Sequence, residues 1–160
     1  MLLRDPSELS ASEIALWDTL AANGEMPDAQ SCASAWQVSG LARSRRAGAP
    51  IVLRQSGNSQ IAFAVTETFS GYRLGPLEAH WYFGCPLIGP DAVELLADVT
   101  RELRDKLQTE AIEIVVSGLE PKGPLAKQIA AGFTNVLMEK QDPHAAASLE
   151  GGIEGWLSRR

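Results

Sequence analysis

The polar and apolar positions change period several times along the chain, and each change marks an element. Over residues 10–23 the apolar residues Ile14, Trp17, Leu20 and Ala21 fall on one helical face. Ser10 with Glu13 three residues on has the spacing of a capping box, in which each side chain satisfies an amide at the helix start. Asn23-Gly24 ends this helix, since both residues tolerate positive φ. Residues 31–47 carry a weaker stripe of Ala35, Val38 and Ala42 and predict a second helix. Arg43, Arg45 and Arg46 at its end complement the carbonyl end of the helix dipole, and the same cations also suit an anion.

The period then drops to two. Residues 50–54 (PIVLR), a turn at Ser56–Ser59, and the alternation of Ile61, Phe63 and Val65 with Ala62, Ala64 and Thr66 over 60–69 predict a β-hairpin. Gly71, Gly75 and Pro76 read as breaks, residues 79–83 (AHWYF) as the next strand, and Gly84–Asp91 as a structured loop. Asp91, with Glu94 three residues on, opens the strongest helix, whose stripe is Leu96, Val99, Leu103 and Leu107. Residues 111–116 (AIEIVV) predict a strand, residues from Leu125 to Gly132 a short helix, and 134–140 a further strand. Ile153, Trp156 and Leu157 lie on one side of a last helix over 153–160, and Leu2-Leu3 suits a leading strand. A meander followed by βαβ units belongs to the α/β (α+β) class, with a central mixed sheet and helices on both faces. About five to seven strands are expected. The strand at 111–116 should run parallel to that at 79–83, joined by the helix over 92–107.

Composition narrows the setting. A chain of 160 residues suits one ordinary domain with a real core. With 45% hydrophobic and 21% charged residues it is not a disordered sequence. No apolar run approaches the ~20 residues of a membrane helix, and the start, MLLRDPSEL, lacks the pattern of a secretory signal. A cytoplasmic location and no membrane span are the expectation. The net charge of −6 argues against general binding to a nucleic-acid backbone. Cys32 and Cys85 read as free thiols, and two scattered cysteines with two histidines lack the spacing of a metal site, so no metal is expected.

Between residues 79 and 133 the order of parts resembles the GNAT acyltransferase superfamily. There a strand feeds a glycine-rich loop, then a long helix, a strand, a short helix and a Gly-Phe pair, matched here by Gly132-Phe133. Over nearly the whole chain the sequence is similar to the N-terminal half of CelD/BcsL-type acetyltransferases of cellulose and exopolysaccharide biosynthesis, which are related to FemAB-like proteins. The matching pieces are Asp5-Pro6-Ser7-Glu8-Leu9, helices carrying Trp17 and Trp36, the Gly84-Cys85-Pro86-Leu87 loop, and Trp156-Leu157 followed by Arg159-Arg160. Members of that group are longer, with a second half expected to hold the better cofactor site. The resemblance therefore implies a GNAT-like domain over 1–150, and over 151–160 the start of a helix or linker toward a possible second domain. A second GNAT-like domain or a homodimer partner would complete it.

The resemblance also says what chemistry to look for. Acetyl-CoA is held by backbone amides at a helix N-terminus, in the pattern Gln/Arg-x-x-Gly-x-Gly/Ala. The loop here has only Gly84 and Gly89, lacks the Arg or Gln, and contains Pro86 and Pro90, which have no N–H. Leu87, Ile88, Gly89 and Asp91 are the candidate cofactor contacts, with the Asp91 carboxylate expected to cap the helix where the pyrophosphate would sit. Arg45–Pro50 matches the pattern only in part. Acetyl-CoA is accordingly expected not to bind this domain alone. A general base would be Glu, His or a similar group, and Glu67, His80, Tyr82 and Cys85 are the candidates near a cleft where neighbouring strands splay. Trp36 and Trp81 are candidates for stacking on a carbohydrate. Three readings follow. The chain is a cofactor-poor N-terminal transferase domain, a self-sufficient small acyltransferase with a divergent loop, or a non-catalytic dimerisation or binding module of the same fold.

Overall fold

The longest alternating stretch lies at the centre of the sheet. The computed structural model describes residues 2–24, 28–78 and 82–139. Strand β1 (Ile51–Ser56) turns through Gly57-Asn58 into β2 (Ser59–Thr68), with Ile51 opposite Ala64 and Ser56 opposite Ser59. The seven residues from Ser59 to Val65 are buried on both sides, as a strand covered by helices on both faces requires. Strand β3 (Gly71–Gly75) pairs antiparallel with the far end of β2, from Ala64↔Gly75 to Thr68↔Gly71. The two-residue strand β4 (Leu87–Ile88) pairs antiparallel with the near end, Ile61↔Leu87 and Gln60↔Ile88. β1 contacts β2 at Ala64 as well as at Gln60 and Ile61, so β3 and β4 both lie on the opposite edge, end to end. Strand β5 (Ile112–Ile114) pairs parallel with β3 and completes a mixed sheet of five strands.

The helices divide between the two faces. Helix α1 spans Ala11–Asn23, α2 Ala29–Cys32, α3 Ser34–Arg43, α4 Ala92–Leu107 and α5 Pro124–Gly132. Arg54 and Gln55 are neighbours on β1 and point to opposite faces. Arg54 Nη2 donates to Glu102 Oε2 of α4 at 2.7 Å, whereas Gln55 Nε2 donates to the Glu13 carbonyl of α1 at 3.1 Å. Thus α4 lies on one face and α1 on the other, with α2 and α3 packed beside α1. Phe63, Leu74, Leu87, Leu96 and Leu103 are fully enclosed, each contributing about 1.5–3 kcal/mol by leaving water. On the α1 side Trp17 is 1% exposed, and its indole N–H donates to the Cys32 carbonyl at 2.8 Å.

The α/β (α+β) class, the hairpin, helix α4 and the capping box of Ser10 and Glu13 follow the sequence pattern. Several elements do not. The strand beside β2 is Gly71–Gly75, not 79–83. Residues 79–81 lie outside the described residues, and Tyr82 and Phe83 belong to no strand. Glycine was the reason to read 71–75 as a break, yet Tyr72–Leu74 are held by strands on both sides and outweigh the weak glycine ends. The parallel partner of β5 is therefore β3. The segment read as a loop from Gly84 contains β4. The helix over 31–47 is broken at Ala33, whose ψ of 152° is extended, and it ends at Arg43. Residues 134–139 form no strand, and Leu2-Leu3 lead only to a single bridge between Arg4 and Ile51. The expected helix over 153–160 and its Trp156 lie outside the described residues.

Candidate functional site

The site is built on the interruption between β3 and β4. Gly75 faces Ala64 and Leu87 faces Ile61, so twelve residues advance on one side against three on the other, an excess of nine. The excess leaves the sheet between Pro76 and Pro86 and returns when the Ala62 amide donates to the Pro86 carbonyl at 3.0 Å. This excursion packs against α2 and α3. The Glu78 amide donates to Gln37 Oε1 at 3.3 Å, and the Cys85 amide donates to Cys32 Sγ at 3.3 Å. Arg46 reaches across from the end of α3, donating from Nη2 to the Pro76 carbonyl at 2.7 Å. Burial lowers the pKa of this guanidinium, while the nearby Tyr82 and Glu78 pull it back up, so it remains a cation.

Glu78 is the only acidic residue among the buried polar side chains of the described chain, at 3% exposure. Its Oε2 accepts the Tyr82 amide at 2.9 Å. Tyr82 has φ 56°, an uncommon conformation for a bulky side chain, and the Glu78 carboxylate helps hold it. The stem of Glu78 lies against Gly40 of α3, where a Cβ would stand 2.7 Å from Glu78 Cγ. An open cleft of about 660 Å³ lies beside this contact, lined by Gln30, Trp36, Ser39, Gly40, Arg43 and Glu78 together with two alanines. Trp36, Gly40 and Arg43 share one face of α3 by their spacing of four and three residues.

The residues singled out from sequence are dispersed. Glu67 is exposed near the end of β2, opposite Tyr72 and away from the excursion. His80 and Trp81 lie outside the described residues. Tyr82 is half-buried on the excursion. Cys85 is 2% exposed, and burial pushes its thiol up to about 12, so it packs as a small apolar group. Sequence reasoning missed Glu78 and Gly40. The one available signal was a glycine one turn after Trp36; nothing in PLEAHWYFG, where Glu78 stands two residues from His80, marks the acid as enclosed.

The loop into α4 is also occupied. Leu87 and Ile88 are buried in β4 and paired with β2. Gly89 has φ 91°, and a Cβ there would collide with the Asn58 carbonyl and Ser59, so the loop lies directly on the hairpin turn. The Asp91 carboxylate does not cap α4, contrary to expectation. Ser59 Oγ accepts the Asp91 amide at 2.9 Å and points its hydroxyl at Asp91 Oδ2 at 3.4 Å, and Asp91 has φ −98° and ψ 10° rather than the extended backbone of a capping residue. The Ala92 amide is directed at the Gly89 carbonyl at 3.4 Å. Beyond β5 the chain runs against residues 83–85. Ser117 Oγ donates to the Gly84 carbonyl at 2.8 Å, and Gly118 abuts the Phe83 carbonyl and the Cys85 amide. A second, shallower cleft of about 440 Å³ lies between the start of α4 and the end of α5.

Among the described residues, no helix is long and apolar enough to cross a membrane, and no group of His, Cys, Asp or Glu is placed to hold a metal ion. Compared with known proteins, the chain matches no protein-family model, no curated protein and no solved structure.

Proposed function

We propose that the chain is a GNAT-like acyltransferase-type domain, of the kind that forms the N-terminal half of polysaccharide-biosynthesis acetyltransferases, and that it does not hold acetyl-CoA by itself. A second GNAT-like domain or a second copy completes it. The observation that carries the fold part is the order of pairing. An antiparallel β1–β2–β3 meander is followed by a crossover through α4 to the parallel strand β5. The observation that argues against a cofactor site is the use already made of the loop amides. Ile88 stands at a hydrogen-bonded position opposite Gln60, Asp91 donates to Ser59, and Pro86 and Pro90 have no N–H to give. A pyrophosphate needs several free amides converging at a helix start.

Calorimetry of the chain with acetyl-CoA tests this. No binding is expected at or below a Kd of about 10 μM, roughly −7 kcal/mol. Binding at that strength would mean the loop rearranges to free its amides and that the domain is a self-sufficient acyltransferase.

A further inference from the structure

The shallower cleft, between the start of α4 and the end of α5, has an apolar lining and an acidic rim. Val93 and Ala97 of α4 form the lining together with Ala131, Gly132 and Phe133 at the end of α5. Ala131 and Gly132 are exposed. Beyond Phe133 the chain goes on to expose Val136, Leu137 and Met138, at 39%, 89% and 53%. Single exposed apolar residues are normal, but a run of them leading out of an apolar cleft marks a surface that is covered by something. Asp91 and Glu94 border the same cleft. Neither makes an ion pair among the described residues, whereas Asp98 and Glu102 further along α4 are paired with Arg101 and Arg54. Two carboxylates outweigh the half positive charge of the helix start, so the cover has to be apolar with cations beside it.

Residues 153–160 of the same chain have that chemistry. Ile153, Trp156 and Leu157 are spaced three and four apart, as one side of a helical turn requires, and Arg159 and Arg160 come two residues later. The length of chain permits the return. Residues 134–152 separate Phe133 from Ile153, and at about 3.3 Å per extended residue they reach much farther than a turn back to the cleft needs. A tether within one chain also holds the segment at an effective concentration of about millimolar, so a contact too weak between separate molecules is populated here. We propose that the cleft between α4 and α5 is the docking site of residues 153–160 of this chain, with Trp156 and Leu157 against its apolar lining and the two arginines beside Asp91 and Glu94. The inference rests on the cleft and on the sequence of that segment, and holds whether or not the chain is an acyltransferase.

The test is nuclear magnetic resonance of the indole N–H groups in the full chain. Trp156→Phe assigns the Trp156 signal, and a synthetic peptide of residues 151–160 gives its undocked position. In the full chain the Trp156 signal should lie away from the peptide's position and stay there on dilution. Ala131→Arg, at an exposed position of α5, fills the cleft and adds a like charge, and should return the signal to the peptide's position. The signal of Trp17, which is 1% exposed in the core, should not move and so reports an intact fold. Glu94→Lys, also exposed, should lower the docking equilibrium about two- to five-fold, and adding Arg159→Glu should recover it, as for an exposed ion pair; this pair of variants decides the matter if Ala131→Arg does not fold. A Trp156 signal at the peptide's position in the unaltered chain overturns the proposal. So does a shifted signal that Ala131→Arg leaves in place in a folded chain, or that Glu94→Lys leaves in place, since either puts Trp156 elsewhere. A shift that disappears on dilution overturns it too, by making the occupant a second copy.

Discussion

Replacing Ser59 by Ala should destabilise the chain more than replacing Asp91 by Ala, the reverse of what a capping aspartate would give. Ser59 has no exposed surface, and its Oγ accepts the Asp91 amide at 2.9 Å. Losing one such bond costs about 0.5–1.5 kcal/mol net, so Ser59→Ala should cost about 1 kcal/mol. The Asp91 carboxylate is exposed, caps no amide of α4 and makes only the 3.4 Å contact with Ser59. What remains is its attraction to the helix dipole, worth about 0.3–1 kcal/mol and screened at the surface, so Asp91→Ala should cost roughly 0.5 kcal/mol or less. A true side-chain cap would cost typically about 1 kcal/mol and up to about 2. Urea unfolding of both variants with unchanged slopes separates the two cases, and melting should follow at about 2–4 °C per kcal/mol for a chain of this size. The reasoning fails if Asp91→Ala costs about 1 kcal/mol or more while Ser59→Ala costs nothing measurable.

Two further outcomes follow from shifted groups. The Glu13 carboxyl is held down at about 2, against an ordinary 4.5, chiefly by the Ser10 amide, then by the Ser10 hydroxyl and by Arg4 at 2.8 Å. A depressed carboxyl contributes stability above its unfolded value and loses it on protonation. Unfolding free energy should therefore fall from about pH 4.5 toward pH 2, and Glu13→Gln should flatten that part of the curve; an identical acid limb in the variant would refute the assignment. Burial raises both thiols, Cys85 to about 12, so a thiol-specific disulfide reagent at pH 8 should label neither cysteine in the folded chain and both in denaturant. Fast labelling of the folded chain would show that the excursion opens.

The parts legible in the sequence were those decided by local pattern. The Ser10–Glu13 box, the β1–β2 hairpin and the stripe of α4 need only neighbouring residues, and each formed where its period and caps placed it. The parts that failed depend on distant partners. Gly71 and Gly75 are poor strand residues alone, and only β2 and β5 on either side make them a strand. Residues 84–91 carry two prolines and two glycines, yet Leu87 and Ile88 join the sheet because β2 has a free edge there. The aspartate before α4 had the right spacing for a cap, but the hairpin turn holds that residue's own amide through the Ser59 hydroxyl, and its backbone is not extended. Of the candidate site, Tyr82 and Trp36 were flagged, while Glu78 was not, since nothing local shows that an acid will be enclosed by α3.

The nine-residue excess between β3 and β4 separates the register of the sheet from the packing of its helices. Were those residues excised, Gly75 and Leu87 would be spaced three apart, matching Ala64 and Ile61, and one uninterrupted strand would run along β2 with every existing register kept. The ladder of hydrogen bonds thus has no need of the excursion, but the core does: Leu77 and Cys85 are buried in it, and the Glu78 and Cys85 amides tie the segment to α3 and α2. A change in its length would leave the registers of the sheet intact and open the layer of α2 and α3 instead.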